Sequence, residues 1–117
     1  MKGTMQAMSL FRIAHDLSDT LDREAPLTQL LVLLRVAAAG DEGIDQGKLQ
    51  DELQMSSAGI SRTIQALGDT HYLKDRAGYG LVSRAFDPTD NRRRLIKLTA
   101  RGEKAIERTL AMMERRK

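Results

Sequence analysis

Residues 80–102 read Gly-Leu-Val-Ser-Arg-Ala-Phe-Asp-Pro-Thr-Asp-Asn-Arg-Arg-Arg-Leu-Ile-Lys-Leu-Thr-Ala-Arg-Gly. Residues 81–86 have strand character, residues 87–91 are dense in turn formers, and residues 94–98 form a second strand. The stretch is therefore a β-hairpin with Asp90, Arg92 and Arg93 at its tip. Thr99 stands where the N-cap of a closing helix belongs, and Ala105, Ile106, Leu110 and Met113 follow on one helical face.

Upstream of the hairpin the chain is helical. Leu10, Ile13, Leu17 and Leu21 recur at helical spacing in an amphipathic first helix, which Pro26 terminates. Residues 27–39 are apolar nearly all round, as expected of a central helix packed on several sides. Gly40 and Gly43 end it, and Asp45 is a suitable N-cap for a helix of about two turns over residues 46–53. In the next helix Ile60, Ile64 and Leu67 form the inner stripe, while Ser57, Ser61, Arg62 and Gln65 point elsewhere. A short helix pair with a small, polar outer face fits a helix-turn-helix, because small residues can enter a major groove. An ordinary helical hairpin satisfies the same pattern. The basic β-hairpin that follows favours a winged helix, whose wing reaches phosphates or the minor groove beside the recognition helix. The fold expected is α+β, mainly α: a winged helix-turn-helix with N- and C-terminal dimerisation helices. As one domain over residues 1–117 it divides into helices 5–24 and 27–39, a helix-turn-helix 45–70, a wing 72–98 and a C-terminal helix 99–117.

Composition narrows the function. A chain of 117 residues supports one core and no large catalytic scaffold. With no cysteine, disulfide frameworks, cysteine-ligated zinc and thiol nucleophiles are excluded. His15 and His71 stand 56 residues apart with no metal-ligand spacing, and no glycine-rich phosphate loop is present. No enzyme, no metal and no cofactor is expected. The four aromatic residues are too few for a base-stacking platform. No apolar run reaches the length of a membrane span, so no membrane partner and a cytoplasmic location are expected. Residues 76–117 carry 12 Lys and Arg against 5 Asp and Glu, whereas residues 1–45 carry 4 against 7. Such polarity points to an anionic partner or to a solvated tail.

The hairpin, with its Asp-Pro-x-Asp-x-Arg tip and its Leu-Thr-x-x-Gly lead into the next helix, resembles the MarR family of bacterial transcription regulators. The likeness extends backward through residues 53–67 and 27–34, covering roughly residues 5–110. It implies a dimeric winged helix that binds operator DNA, with Arg92 entering the minor groove and Asp90 holding it. An arginine suits that role because its planar guanidinium fits a narrow minor groove. Arg84, Arg93, Arg94 and Lys97 are flanking charges for backbone contact, although strand alternation lets only some face DNA. On the recognition helix, Ser56 or Ser57 caps the N-terminus, and Ser57, Ala58, Ser61, Arg62 and Gln65 are candidates for groove contact. Arg62 suits guanine or a phosphate equally, and Gln65 suits adenine.

The chain departs from the family in two places. The link over residues 68–80 is several residues longer, which implies an extended or kinked first wing strand. Only 19 residues run from Thr99 to Lys117, so the second C-terminal helix is expected to be absent or truncated. Dimerisation then rests on the first helix and a single C-terminal one, their apolar stripes paired across a two-fold axis. The resemblance places the family's ligand crevice between the dimer helices and the winged domain, where the shortened C-terminus bears on it, so no conventional small-molecule switch is expected and any effector stays unknown. The resulting function is sequence-specific binding of double-stranded DNA by a homodimer, most simply a repressor. The alternatives are a winged-helix protein-interaction module acting on another regulator or polymerase, and a plasmid or phage segregation or replication factor. Site selection with a Gln65→Ala variant is expected to return an altered base preference, and the wild-type motif returned unchanged would remove Gln65 from the base readers.

Overall fold

The nearly all-apolar helix α2 (Leu27–Ala39) is the centre on which the other elements close. Its Val32, Leu33 and Val36 have no exposed surface, and they are packed with Leu17 and Leu21, Leu49, Ile60, Ile64 and Leu67, and Leu81, Val82 and Ile96. A computed structural model describes residues 3–69 and 78–114. In chain order α1 (Thr4–Thr20) and α2 are followed by a 3-10 turn (Gly40–Glu42), β1 (Ile44–Asp45), α3 (Gln46–Leu53) and α4 (Ser57–Leu67). The hairpin β2 (Val82–Asp87) and β3 (Asp90–Leu98) then leads to α5 (Ala100–Glu114). The sheet is antiparallel with β3 in the middle, in the order β1-β3-β2. Helices and a small sheet thus make the mainly α, winged arrangement expected. Among the described residues no helix is long and apolar enough to cross a membrane.

Local chemistry sets the element boundaries. Asp45 caps α3 by accepting from the Lys48 N–H at 3.1 Å, and Ser56 caps α4 by accepting from the Gly59 N–H at 2.9 Å. Between them Gln54 adopts the left-handed conformation (φ 53°) that ends α3. The α1 helix stops at Thr20, short of residue 24, because Leu21 turns extended and buries its side chain. The polar residues after it form a turn, with Ala25 N–H bonded to Asp22 O at 2.8 Å.

The short strand β1 was not legible as an element. Gly43 makes it possible: its φ is 75°, and a Cβ there would come within 2.9 Å of the Ile96 carbonyl. The second wing strand begins at Asp90, four residues before the expected Arg94. The Asp87 carboxylate accepts from the Thr89 N–H at 2.8 Å and from its hydroxyl at 2.7 Å, closing a two-residue loop at Pro88 and Thr89. The expected extension or kink of the link falls largely on residues 70–77, outside the described residues. What is described is a clasp in which Gly78, Tyr79, Gly80 and Leu81 donate to Asp69, Ala66, Gly68 and Leu67.

The terminal helices pack on each other within one chain, which changes the expected pairing of whole stripes between two chains. Thr109 donates its hydroxyl to the Asp16 carboxylate, and Arg108 donates to Thr20 Oγ1 at 2.8 Å. Leu17 and Leu21 are buried and Ile13 and Ile106 half-buried, whereas Leu10 is 69% and Leu110 51% exposed. Met5, Met8 and Phe11 on α1 and Met112 on α5 are exposed too. The Met113 side chain lies outside the described residues.

The Leu-Thr-x-x-Gly signature has a physical cause. Thr99 Oγ1 donates to Gly80 O at 2.6 Å and accepts from the Gly102 N–H at 3.1 Å, while the Thr99 N–H donates to Leu81 O at 2.9 Å. A Cβ at Gly102 would lie 2.1 Å from that same Leu81 oxygen. Gly102→Ala is therefore expected to destabilise the chain by about 1–3 kcal/mol, as overpacking does. Chemical denaturation should show it, and unaltered stability would mean that the α5 junction yields.

Candidate nucleic-acid interface

The polar side of α4 and the wing form the site. Ser57, Ala58 and Arg62 are exposed, Ser61 and Gln65 half-buried, and Ile60, Thr63, Ile64 and Leu67 buried, so the inner stripe turns the polar residues outward. Ser56 spends its hydroxyl oxygen on the cap. Thr63 donates back to Gly59 O at 2.9 Å, which satisfies a polar group inside the helix packing.

The ladder register sorts the wing. Residues opposite one another share a face, so the pairs Val82–Leu98, Arg84–Ile96 and Phe86–Arg94 put Arg84 and Arg94 on the side where Val82 and Ile96 are buried. Arg92 lies in the stretch of β3 between Asp90 and Arg94 where the register shifts, so the alternation does not carry to it. Ser83, Lys97 and Arg93 fall on the other side with Asp45, whose neighbour across the ladder is Leu95. A bulge at Phe86 and Asp87 adjusts the tip.

Each arginine is held differently. The Asp90 carboxylate accepts from the Arg92 N–H at 3.1 Å and from Arg92 Nε at 3.2 Å, while the Arg92 side chain stays 88% exposed. That pairing, first through the side chain and then through the backbone, holds the Asp90 carboxyl below the usual aspartate range. Thr89 does the same for Asp87 through its hydroxyl and its N–H. Arg94 lies over the Phe86 ring at 5.4 Å. Arg93 pairs with Asp45 at 3.3 Å and approaches Asp87 at 4.0 Å. Arg84 is half-buried and donates to Ser61 Oγ and Gln46 Oε1. Burial, and then the nearby Arg94 charge, lower its pKa from the ordinary arginine value.

The structure thus puts Arg84 and Arg94 on one face of the ribbon, joins Arg84 to Ser61 and sets Gln65 beside it in one groove, leaves Arg92 exposed at the tip, and ties Arg93 to Asp45 on the other face. Lys97 lines a groove of about 360 Å³ with Asp41, Glu103 and Glu107, at the base of the wing. Gln46 and Phe86 were missed as partners. Strand alternation divides the wing charges between two faces without saying which partner each meets, and nothing local to Gln46 announces a contact 38 residues away. Elsewhere an apolar groove of about 330 Å³ lies between α1 and α2, lined in part by Phe11, Ala14, Leu21, Leu27 and Leu30. His15 at its edge stacks on Phe11 at 5.6 Å. Among the described residues no group of three or more His, Asp or Glu is placed to hold a metal ion.

Among solved structures, the chain is similar to the PcaV transcriptional regulator from Streptomyces coelicolor, in complex with its natural ligand, at 25% identity over 94% of this chain and 71% of that one, with a TM-score of 0.59. It is similar to MarR at 25% identity over 95% and 74% of the two chains, with a TM-score of 0.60. The chain is a MarR-like winged helix. The MepR–DNA complex from S. aureus shares the fold at 21% identity, over 95% of this chain and 83% of that one, with a TM-score of 0.66. No protein-family model and no curated protein matches the chain. These MarR-like neighbours are regulators rather than enzymes.

The Asp90–Arg92 pair closes the tip of the wing. A carboxyl whose folded pKa is lowered stabilises the fold above its unfolded pKa and loses that effect as pH falls through the lowered value. The wing tip should therefore keep its order from neutral pH down through the usual aspartate range and loosen only below it. NMR titration of the Asp90 and Arg92 signals would check this, and loosening near neutral pH would contradict the pairing.

Proposed function

We propose that the chain binds double-stranded DNA sequence-specifically as a homodimer and regulates transcription, in the simplest case as a repressor that occludes polymerase. The observation that carries this reading is the wing tip, where Asp90 aims an exposed Arg92 on the same hairpin that bears Arg84 and Arg94. An arginine fixed before binding loses less freedom on entering a minor groove than a mobile one. Beside it α4 offers Ser57, Ala58, Arg62 and Gln65 for the major groove, with an N-terminus suited to a phosphate. The DNA-bound MepR neighbour supports the same use of this fold.

The dimer is supported by large apolar residues left exposed in one chain. Met5, Met8, Leu10 and Phe11 on α1 and Leu110 and Met112 on α5 are exposed, and a small domain gains by covering such residues. A two-fold pairing there would set two recognition helices toward successive major grooves, so operators should be inverted repeats with half-sites about one helical turn apart. No small-molecule effector belongs to this reading. Release of DNA by a small apolar acid, for which the groove between α1 and α2 has a suitable lining, would add one.

Two measurements test the proposal. Binding should weaken steeply with salt through counterion release, and Arg92→Ala should cost on the order of 1–3 kcal/mol. Undiminished binding by that variant in a fluorescence titration would remove Arg92 from the interface. Light scattering at micromolar concentration should give a dimer mass, and a monomer there would overturn the homodimer.

A further inference from the structure

Arg84 sits where the wing meets both helices of the helix-turn-helix. Its Nη1 donates to Ser61 Oγ at 3.2 Å and to Gln46 Oε1 at 3.4 Å. A guanidinium has donors only, so both partners must accept. The Gln46 amide is thereby fixed with its oxygen toward Arg84 and its NH2 group turned away. The Ser61 hydroxyl, accepting from Arg84, keeps its own proton for another acceptor. Among the described residues neither the Gln46 NH2 nor the Ser61 proton has a hydrogen-bond acceptor. Gln46 is the first residue of α3, and Ser61 belongs to the half-exposed polar side of α4 between Ser57 and Gln65. Arg84 is itself half-buried behind them, whereas Arg92, paired with Asp90, is exposed.

We propose that Arg84 is a positioning residue that sets Gln46 and Ser61 as a pair of outward hydrogen-bond donors, Gln46 to a DNA phosphate and Ser61 to an acceptor on a base edge. Arg84 then serves DNA binding through its two partners rather than by touching DNA, and Gln46 becomes a backbone contact. The chemistry is consistent at each atom: phosphate oxygens accept only, and guanine O6 and N7, adenine N7 and thymine O4 are the major-groove acceptors open to a hydroxyl. The bridge also holds the wing to α4, so the minor-groove and major-groove contacts keep a fixed spacing. This inference rests on the DNA-binding reading above.

The test uses the full chain and a duplex recovered by site selection with the wild type, with fluorescence anisotropy across a range of salt and thermal unfolding of every variant. Beside the neutral Gln46→Ala, which should also weaken binding, Gln46→Glu keeps an oxygen for Arg84, replaces the NH2 donor with a second oxygen and adds a negative charge. It should weaken binding at least about tenfold, the loss expected for a hydrogen bond to a charged oxygen, with no drop in unfolding temperature. Arg84→Met should weaken binding similarly and leave the slope of log affinity against log salt unchanged. Its selected motif should change at the same base position as that of Ser61→Ala. Arg84→Met combined with Gln46→Ala should bind no more weakly than the worse single variant.

A salt slope in Arg84→Met reduced by about one phosphate contact would make Arg84 itself the ligand and overturn the positioning role. Gln46→Glu decides the matter even where Arg84→Met fails to fold, because wild-type affinity in that variant overturns the inference alone. A wild-type chain that selects no duplex overturns the DNA-binding reading and this inference together.

Discussion

Ile96 has no exposed surface, and that single burial sets the phase of the whole wing. Side chains in a strand alternate with a period of two, so anchoring Ile96 against the helical core decides the side taken by the residues of the regular ladder from Arg94 to Leu98. Arg94 falls on the same side as Ile96 and Arg93 on the opposite one. Across the ladder Arg84 is opposite Ile96, which puts it against α3 and α4. A slip by one residue would bury Leu95 or Lys97 instead and carry Arg84 and Arg94 to the opposite face. The apolar contact at the base of the hairpin thus controls the charges at its far end, and Gly43 permits it by letting β1 close on the Ile96 carbonyl.

Much of the helical framework was legible because its determinants are local. Asp45, Ser56 and Thr99 each accept from an N–H three residues on, a relation visible in sequence spacing. The Ile60, Ile64 and Leu67 stripe is likewise a matter of helical period. The rest depends on partners distant in the chain or on competing local signals. Asp90, Asn91, Arg92 and Arg93 are poor strand formers by composition, yet they fall within β3 because Asp87 and Thr89 close the turn ahead of them. A two-residue strand such as Ile44–Asp45 has no periodicity to detect. Of the site, the arginine at the tip and the polar face of α4 could be picked out. What could not be read is how the four wing arginines divide between an exposed tip, an aromatic face, a buried bridge and an ion pair.

The terminal helices show how one apolar stripe can serve two purposes. Its inner half, Leu17 and Leu21, closes the core of the chain, while its outer half at Leu10 remains open. Polar contacts from Asp16 to Thr109 and from Thr20 to Arg108 mark the boundary. Helical periodicity finds the stripe but not the point at which an intramolecular partner stops covering it, since that depends on where α5 passes over α1.

Asp45 serves both α3 and the wing. One carboxylate oxygen caps α3 through Lys48, the other holds Arg93 from 48 residues away, and the Asp45 backbone lies opposite Leu95 in the ladder. Neither the first turn of α3 nor the middle of β3 can open without giving up a contact that the other needs. Amide hydrogens in these two segments should consequently exchange with a common opening free energy, as one cooperative unit of unfolding assembled from distant parts of the chain.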